Sequence, residues 1–230
     1  MIFREREDHF ILIRQHDHGK IAGDFADHWR EPIDRSTGIG IRYHDVGWQA
    51  LDGEVRWNPE TGKPYSFEDY PLEGKLPSYT AGVDRVQAMD PFAGCICSMH
   101  FVSFFIDTKE PEEIRFVEWE QARQQRLIAA MGNEEQAKLK ESLRLLKLCD
   151  DFSLFLCLNE PGQKDHPWYR NGFRWGDELL QSVWETKDRL RIDPSPFRGS
   201  FEVTIPYQVV SRDRQPLEQG SYRIHIIHRG

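Results

Sequence analysis

Residues 133–158 read NEEQAKLKESLRLLKLCDDFSLFLCL, and the fold expected of the chain follows from this stretch. Asn133 to Gln136 has capping-box spacing, and apolar residues then recur at helical intervals, so a long helix is predicted as far as about Leu158. Its apolar seam runs Leu139, Leu143, Leu146, Asp150, Ser153, Cys157, which puts Asp150 on the core-facing side. A buried carboxylate is costly unless a cation, a strong set of hydrogen bonds or a raised pKa compensates. Asp151 shares the face of Lys140, Arg144 and Lys147 and reads as a solvated partner of Lys147, four residues back.

The segments upstream also read as helices with a polar residue on an apolar face. Asp90-Pro91 is a cap-and-first-turn signal for a helix to about Ile106, with His100 beside Ala93, Ile96, Cys97 and Phe104. Pro111 opens another helix to about Met131. Near the start, a strand-like run from Phe10 to Ile13 leads into a helix with His18, Ile21, Ala22, Phe25, Ala26 and Trp29 on one face, capped by Asp17. A further helix is expected over Ile39 to Leu51, carrying His44-Asp45-Val46-Gly47-Trp48.

From Asp52 to Tyr79 the periodicity disappears, and prolines alternate with Trp57, Tyr65, Phe67 and Tyr70. A loop of this length either covers a site or packs its aromatics on the surface. After Asn159 the character changes, with a weak helix over Asp177 to Trp184 and alternating, strand-like runs at Leu190 to Ile192, Phe201 to Val210 and Tyr222 to His228. The expectation is a helical core with a C-terminal sheet packed on it, joined by Phe10 to Ile13.

Composition narrows the function classes. The chain has 230 residues and 39% hydrophobic content, enough for a sizeable core. Its net charge of -8 disfavours nucleic acid or an anionic membrane as the main partner, though not a local basic pocket for a small anion. Cys95, Cys97, Cys149 and Cys157 lie in apolar stretches without a Cys-x-x-Cys pair, and no apolar run nears the roughly 20 residues of a membrane span. A soluble, cytosolic protein with reduced thiols is expected.

His18, His44-Asp45, His100 and Asp150 together suggest a metal site, since imidazole and carboxylate suit zinc, iron or manganese, and oxygen-richer sets lean to manganese or magnesium. Taken singly each has a plainer reading: a lone core histidine is more often hydrogen-bonded than metal-bound. The order His18, His44-Asp45, Asp150 on separate helices resembles the HD-domain superfamily of metal-dependent phosphohydrolases. More closely, the segments QHDHGKIAG, HDVGW and LKLCDDFSLF are similar to a bacterial family known only as domain of unknown function 3891, a resemblance spanning most of the chain and bringing no activity with it.

The HD resemblance implies a helical bundle over 1–158, and with the long loop at 53–80 and the strand-like runs of 159–230 the expected fold is mainly α, an HD-like helical bundle with a small C-terminal antiparallel sheet. The resemblance also implies a divalent ion held by His18, His44, Asp45 and Asp150, with His100 as a ligand of a second ion and Asp45 as the catalytic base. The chain departs from the HD pattern at Trp48, where many members carry a lysine that meets a substrate phosphate. Lys20, Arg42 or Lys147 could supply that cation, with Trp48, Trp57 and Tyr65 as further contacts. The expected function is hydrolysis of a small, phosphorylated molecule or nucleotide by a metal-activated water. The rivals are a non-catalytic metal- or ligand-binding protein and a metal-free buried network, the latter in a homodimer formed through the sheet edge.

Overall fold

The computed structural model describes residues 1–229. Among these residues the helices are α1 (Gln15–Asp27), α2 (Arg35–Tyr43), α3 (Trp48–Leu51), α4 (Leu72–Met89), α5 (Pro91–Val102), α6 (Pro111–Ala130) and α7 (Asn133–Leu158). The strands are β1 (Ile2–Glu5), β2 (His9–Ile13), β3 (Phe173–Trp175), β4 (Glu178–Thr186), β5 (Arg189–Asp193), β6 (Phe201–Ser211) and β7 (Pro216–Ile227).

The expectation of a mainly α bundle with a small C-terminal antiparallel sheet is corrected. The chain is 46% helical and 23% strand, and its sheet is seven-stranded, mixed and curled into a half-barrel. Strand order is β1-β2-β6-β7-β5-β4-β3, with β5 parallel to β7 and the other neighbours antiparallel. Two segments account for the difference. Glu178–Thr186, expected as a weak helix, is a strand that buries Leu180 and Ser182 on one face. Ile2–Glu5, given no structure from its sequence, pairs in register with β2 from Ile2↔Ile13 to Glu5↔Phe10. The run Phe10 to Ile13 joins the sheet as expected, through β6.

α5 is the central helix, buried along nearly its whole length, and α2, α4, α6 and α7 pack around it. Its start follows the sequence: Asp90 accepts a hydrogen bond from Ala93 N at 2.9 Å, and Pro91 occupies the first turn, where no N–H is needed. α7 begins one residue earlier than its cap signal suggests. Gly132 N donates to Glu135 Oε2 at 3.0 Å, so Gly132 takes the cap position.

The helix expected over Ile39 to Leu51 is two helices with a turn between them. α2 ends at Tyr43, and His44 to Gly47 form successive tight turns, with Val46 N donating to Tyr43 O and Trp48 N to Asp45 O. Gly47 is required there by a close approach. A Cβ on it would sit 2.1 Å from the Ser78 carbonyl of α4, whose own hydroxyl donates to Gly47 O at 2.7 Å. The unpatterned stretch is also shorter than expected, because α4 already begins at Leu72 and tolerates Pro77 in its second turn. Trp57 from this loop packs edge-on against Phe10 at 5.7 Å, and with Met1, Leu12 and Val210 covers the sheet face opposite the main core.

Candidate metal centre

Four elements converge on one buried point: α1 with His18, the turn after α2 with His44 and Asp45, α5 with His100, and α7 with Asp150 and Ser153. Close packing brings them together. α1 and α2 can approach because Gly19 and Gly23 face the Arg42 backbone and side chain, and Gly40 makes room for Ile96 of α5.

Each of two imidazoles is oriented through its far nitrogen. His18 Nδ1 lies 2.7 Å from Ser153 Oγ, and that hydroxyl donates to Asp150 O at 2.9 Å, so it accepts from His18 Nδ1–H. His44 Nδ1–H donates to Ile41 O at 2.7 Å. Both rings therefore present Nε2 to the centre, the arrangement by which metal-binding histidines are normally held. The His44 Nε2 atom is buried and has no hydrogen-bond partner among the described residues.

The spacings suit one ion. Two ligand atoms about 2.1 Å from a metal at a tetrahedral angle lie about 3.4 Å apart. Asp150 Oδ1 is 3.4 Å from His44 Nε2 and 3.7 Å from His18 Nε2, and one ligand atom from each of these residues lies within 4.8 Å of the others. Asp45 Oδ2 sits at the flank, 2.9 Å from His18 Nε2 and 3.8 Å from His44 Nε2. His100 Nε2 approaches the other Asp150 oxygen, Oδ2, at 3.6 Å. This donor set of nitrogen and carboxylate oxygen matches zinc, iron or manganese.

Electrostatics point the same way. Burial pushes the His44 imidazole towards neutrality, yet the field of Asp45 and the approach of Asp150 override it and hold the pKa at about 9. Burial likewise opposes ionisation of Asp150 and Asp45, and the neighbouring histidines outweigh it, keeping both carboxyls below their usual range. The centre thus attracts positive charge. His100 differs: burial lowers it to about 4, leaving it neutral and free to donate a lone pair.

The structure brings together His18, His44, Asp45, His100 and Asp150, and disperses the other candidates. Trp48 is 1% exposed and wedged edge-on between Tyr70 and Tyr79 in the core. Lys20 pairs with Asp17 at 2.8 Å, and Arg42 with Asp24 at 3.0 Å and Asp27 at 2.8 Å, so both cations are engaged away from the centre. Lys147 is half-buried one turn before Asp150 and Asp151 and forms no ion pair among the described residues. Tyr65 stacks obliquely on Tyr70.

Two sequence expectations near the site are corrected. Asp17 does not cap α1; Asp52 does, accepting from Gln15 N at 2.6 Å. His16, two residues before His18, is also buried, and burial lowers its pKa to about 4. Asp151 is not a solvated partner of Lys147: it is half-buried, approached by Tyr169 Oη at 3.4 Å, and burial pushes its carboxyl up to about 7. Sequence reasoning missed Ser153 and Gln15 as site residues. The signal for Ser153 was present, a second polar residue one turn after Asp150 on the same apolar seam.

The fold and this cluster define an α/β protein with a buried His/Asp group of metal-binding geometry. The chain belongs to the family described as Protein of unknown function (DUF3891), which matches residues 1–212. No curated protein matches it, and no solved structure does. The four cysteines are free and buried, burial raising each thiol pKa, that of Cys95 to about 11. Among the described residues no helix is long and apolar enough to cross a membrane.

Proposed function

We propose that this protein is a cytosolic metal-dependent hydrolase acting on a phosphoester or phosphoanhydride of a small molecule. The observation that carries the reading is the pair of Nε2 atoms, on His18 and His44, turned to one Asp150 carboxylate by hydrogen bonds at their far nitrogens. A bound divalent ion would bring the pKa of a coordinated water to near neutrality and supply the nucleophile. His18, His44 and Asp150 hold it. Asp45 either completes the ligand set or accepts the proton of the attacking water, and His100 supports the free Asp150 oxygen or a second ion. The order His, His-Asp, Asp on separate elements supports an HD-like phosphohydrolase.

A second reading, a metal site without turnover, is favoured by the burial of the centre and by Trp48 lying in the core where a phosphate-binding cation is expected. The two separate on one experiment. Protein purified without a histidine tag and loaded with manganese, iron or zinc is assayed on bis(p-nitrophenyl) phosphate and a nucleotide panel. Turnover that falls at least about a hundredfold in Asp45→Ala supports hydrolysis, the usual contribution of a general base. Retained metal with no turnover across the panel supports the binding reading instead.

A further inference from the structure

Gln15 opens α1 and is buried beside the centre, one helical turn ahead of His18. Its Nε2 lies 3.3 Å from His18 Nε2, and its Oε1 is buried with no hydrogen-bond partner among the described residues. The backbone at this point is held in place by Asp52, which accepts from Gln15 N at 2.6 Å. A buried amide oxygen left unpaired costs about 1–3 kcal/mol, so its position needs an explanation. The amide nitrogen needs one too. His18 Nδ1 is committed to Ser153, and His18 Nε2 lies 2.9 Å from Asp45 Oδ2 as well as 3.3 Å from the amide; an ion taking the Nε2 lone pair would leave both ends of the Gln15 amide without a protein partner.

Of the cations expected to meet an anion, Lys147 is half-buried on α7 without an ion pair among the described residues, and the other two do not face this point. Lys20 and Arg42 are engaged in ion pairs, and Trp48 is packed in the core. A neutral donor is what the centre offers next to His18. We propose that Gln15 anchors an oxyanion ligand at this centre, its Nε2–H donating to an oxygen of the ligand and its Oε1 accepting from a protonated oxygen beside it. The inference rests on the metal reading above and deepens it. A neutral amide suits an oxyanion of low charge, such as a phosphate diester or the monoanion of phosphate, better than a dianion that calls for a full positive charge.

The test uses cobalt(II) as the ion and inorganic phosphate as the probe. Wild type, Gln15→Met and Gln15→Glu are loaded with cobalt, their metal content measured, and phosphate titrated against the visible cobalt spectrum at slightly acidic pH. The expected result is about one cobalt per chain in all three and a phosphate Kd raised about tenfold or more in Gln15→Met, as for loss of one hydrogen bond to a charged group. Gln15→Glu weakens phosphate further by like-charge repulsion and carries the test if the methionine variant does not fold. Phosphate affinity within twofold of wild type in a cobalt-loaded variant overturns the proposal, as does loss of cobalt from both variants, which would make Gln15 part of the metal-holding set. A wild type that takes up no cobalt fails at the earlier step and overturns the metal reading itself.

Discussion

Replacing Ser153 by Ala removes one oxygen atom and, with it, two buried hydrogen bonds. The hydroxyl is fully buried; it accepts from His18 Nδ1 at 2.7 Å and donates to Asp150 O at 2.9 Å. Loss of two hydrogen bonds costs about 0.5–1.5 kcal/mol each, and the His18 N–H is left buried without an acceptor. Removing the hydroxyl's own desolvation offsets part of this, so the metal-free protein should lose about 2 kcal/mol. With a urea m value of about 3 kcal/mol/M, the unfolding midpoint falls by about 0.7 M. The larger effect is on the ion. Without Ser153 the His18 ring is no longer locked with Nε2 towards Asp150, and metal affinity should drop about 10- to 100-fold, as when other orienting partners of metal-bound histidines are removed. Competition with a chromophoric chelator measures that affinity. Ser142→Ala is the control: it breaks a similar buried bond, Ser142 Oγ to Thr37 Oγ1 at 2.9 Å, on the same helix but away from the centre. It should cost comparable stability and leave metal affinity unchanged. Equal metal affinity in Ser153→Ala and Ser142→Ala would show that the hydroxyl does not orient His18 for an ion.

Two further outcomes are expected from the packing and the charges. Gly47→Ala forces a Cβ to within 2.1 Å of the Ser78 carbonyl, and because that neighbour is backbone it cannot swing aside. The turn holding His44 and Asp45 must shift from α4, with a loss of about 1–3 kcal/mol by thermal unfolding and weaker metal binding; unchanged values for both contradict the close approach. For pH, His16 and His100 both have folded pKa values lowered by burial to about 4 from an ordinary 6.5. A histidine lowered on folding binds its proton in the unfolded chain first, so its contribution is present above about pH 6.5 and lost as pH falls towards 4. Asp151, raised by burial to about 7, runs the other way over the same window and offsets about one histidine, so urea unfolding in the presence of a chelator should weaken by a net of up to about 1.4 kcal/mol per pH unit. A flat profile from pH 7 to 5 would count against the burial of these rings.

The parts of the site that were legible in the sequence are those where a polar residue breaks a strong apolar period. Asp150 interrupts the seam of α7, His18 that of α1 and His100 that of α5, and all three reach the same point. His44-Asp45 gave a weaker signal, because the doublet sits in a turn whose geometry depends on Gly47 meeting α4. Gln15 gave none: a glutamine at a helix start is ordinary until the structure shows what its amide faces. The sheet was the larger loss. β1 is four residues long, and β4 carries Glu178, Gln181, Glu185 and Thr186 among its apolar residues, so neither has a clean period-2 pattern. Both are strands because neighbours from distant sequence complete their ladders, β2 beside β1 and β5 beside β4. α4 escaped notice for a similar reason. Gly74, Pro77 and Gly82 lower its helical propensity, and packing on α5 restores it.

Metal content decides whether His18, His44 and Asp150 hold an ion, on which the functional reading depends. Elemental analysis is made on untagged wild type, His44→Ala and Asp150→Ala, each shown to be folded by circular dichroism. Close to one equivalent of metal per chain is expected in wild type, and little in either variant. Wild type that stays metal-free after incubation with manganese, iron or zinc would contradict the metal site, and would leave the buried histidines and carboxylates as a hydrogen-bonded network only.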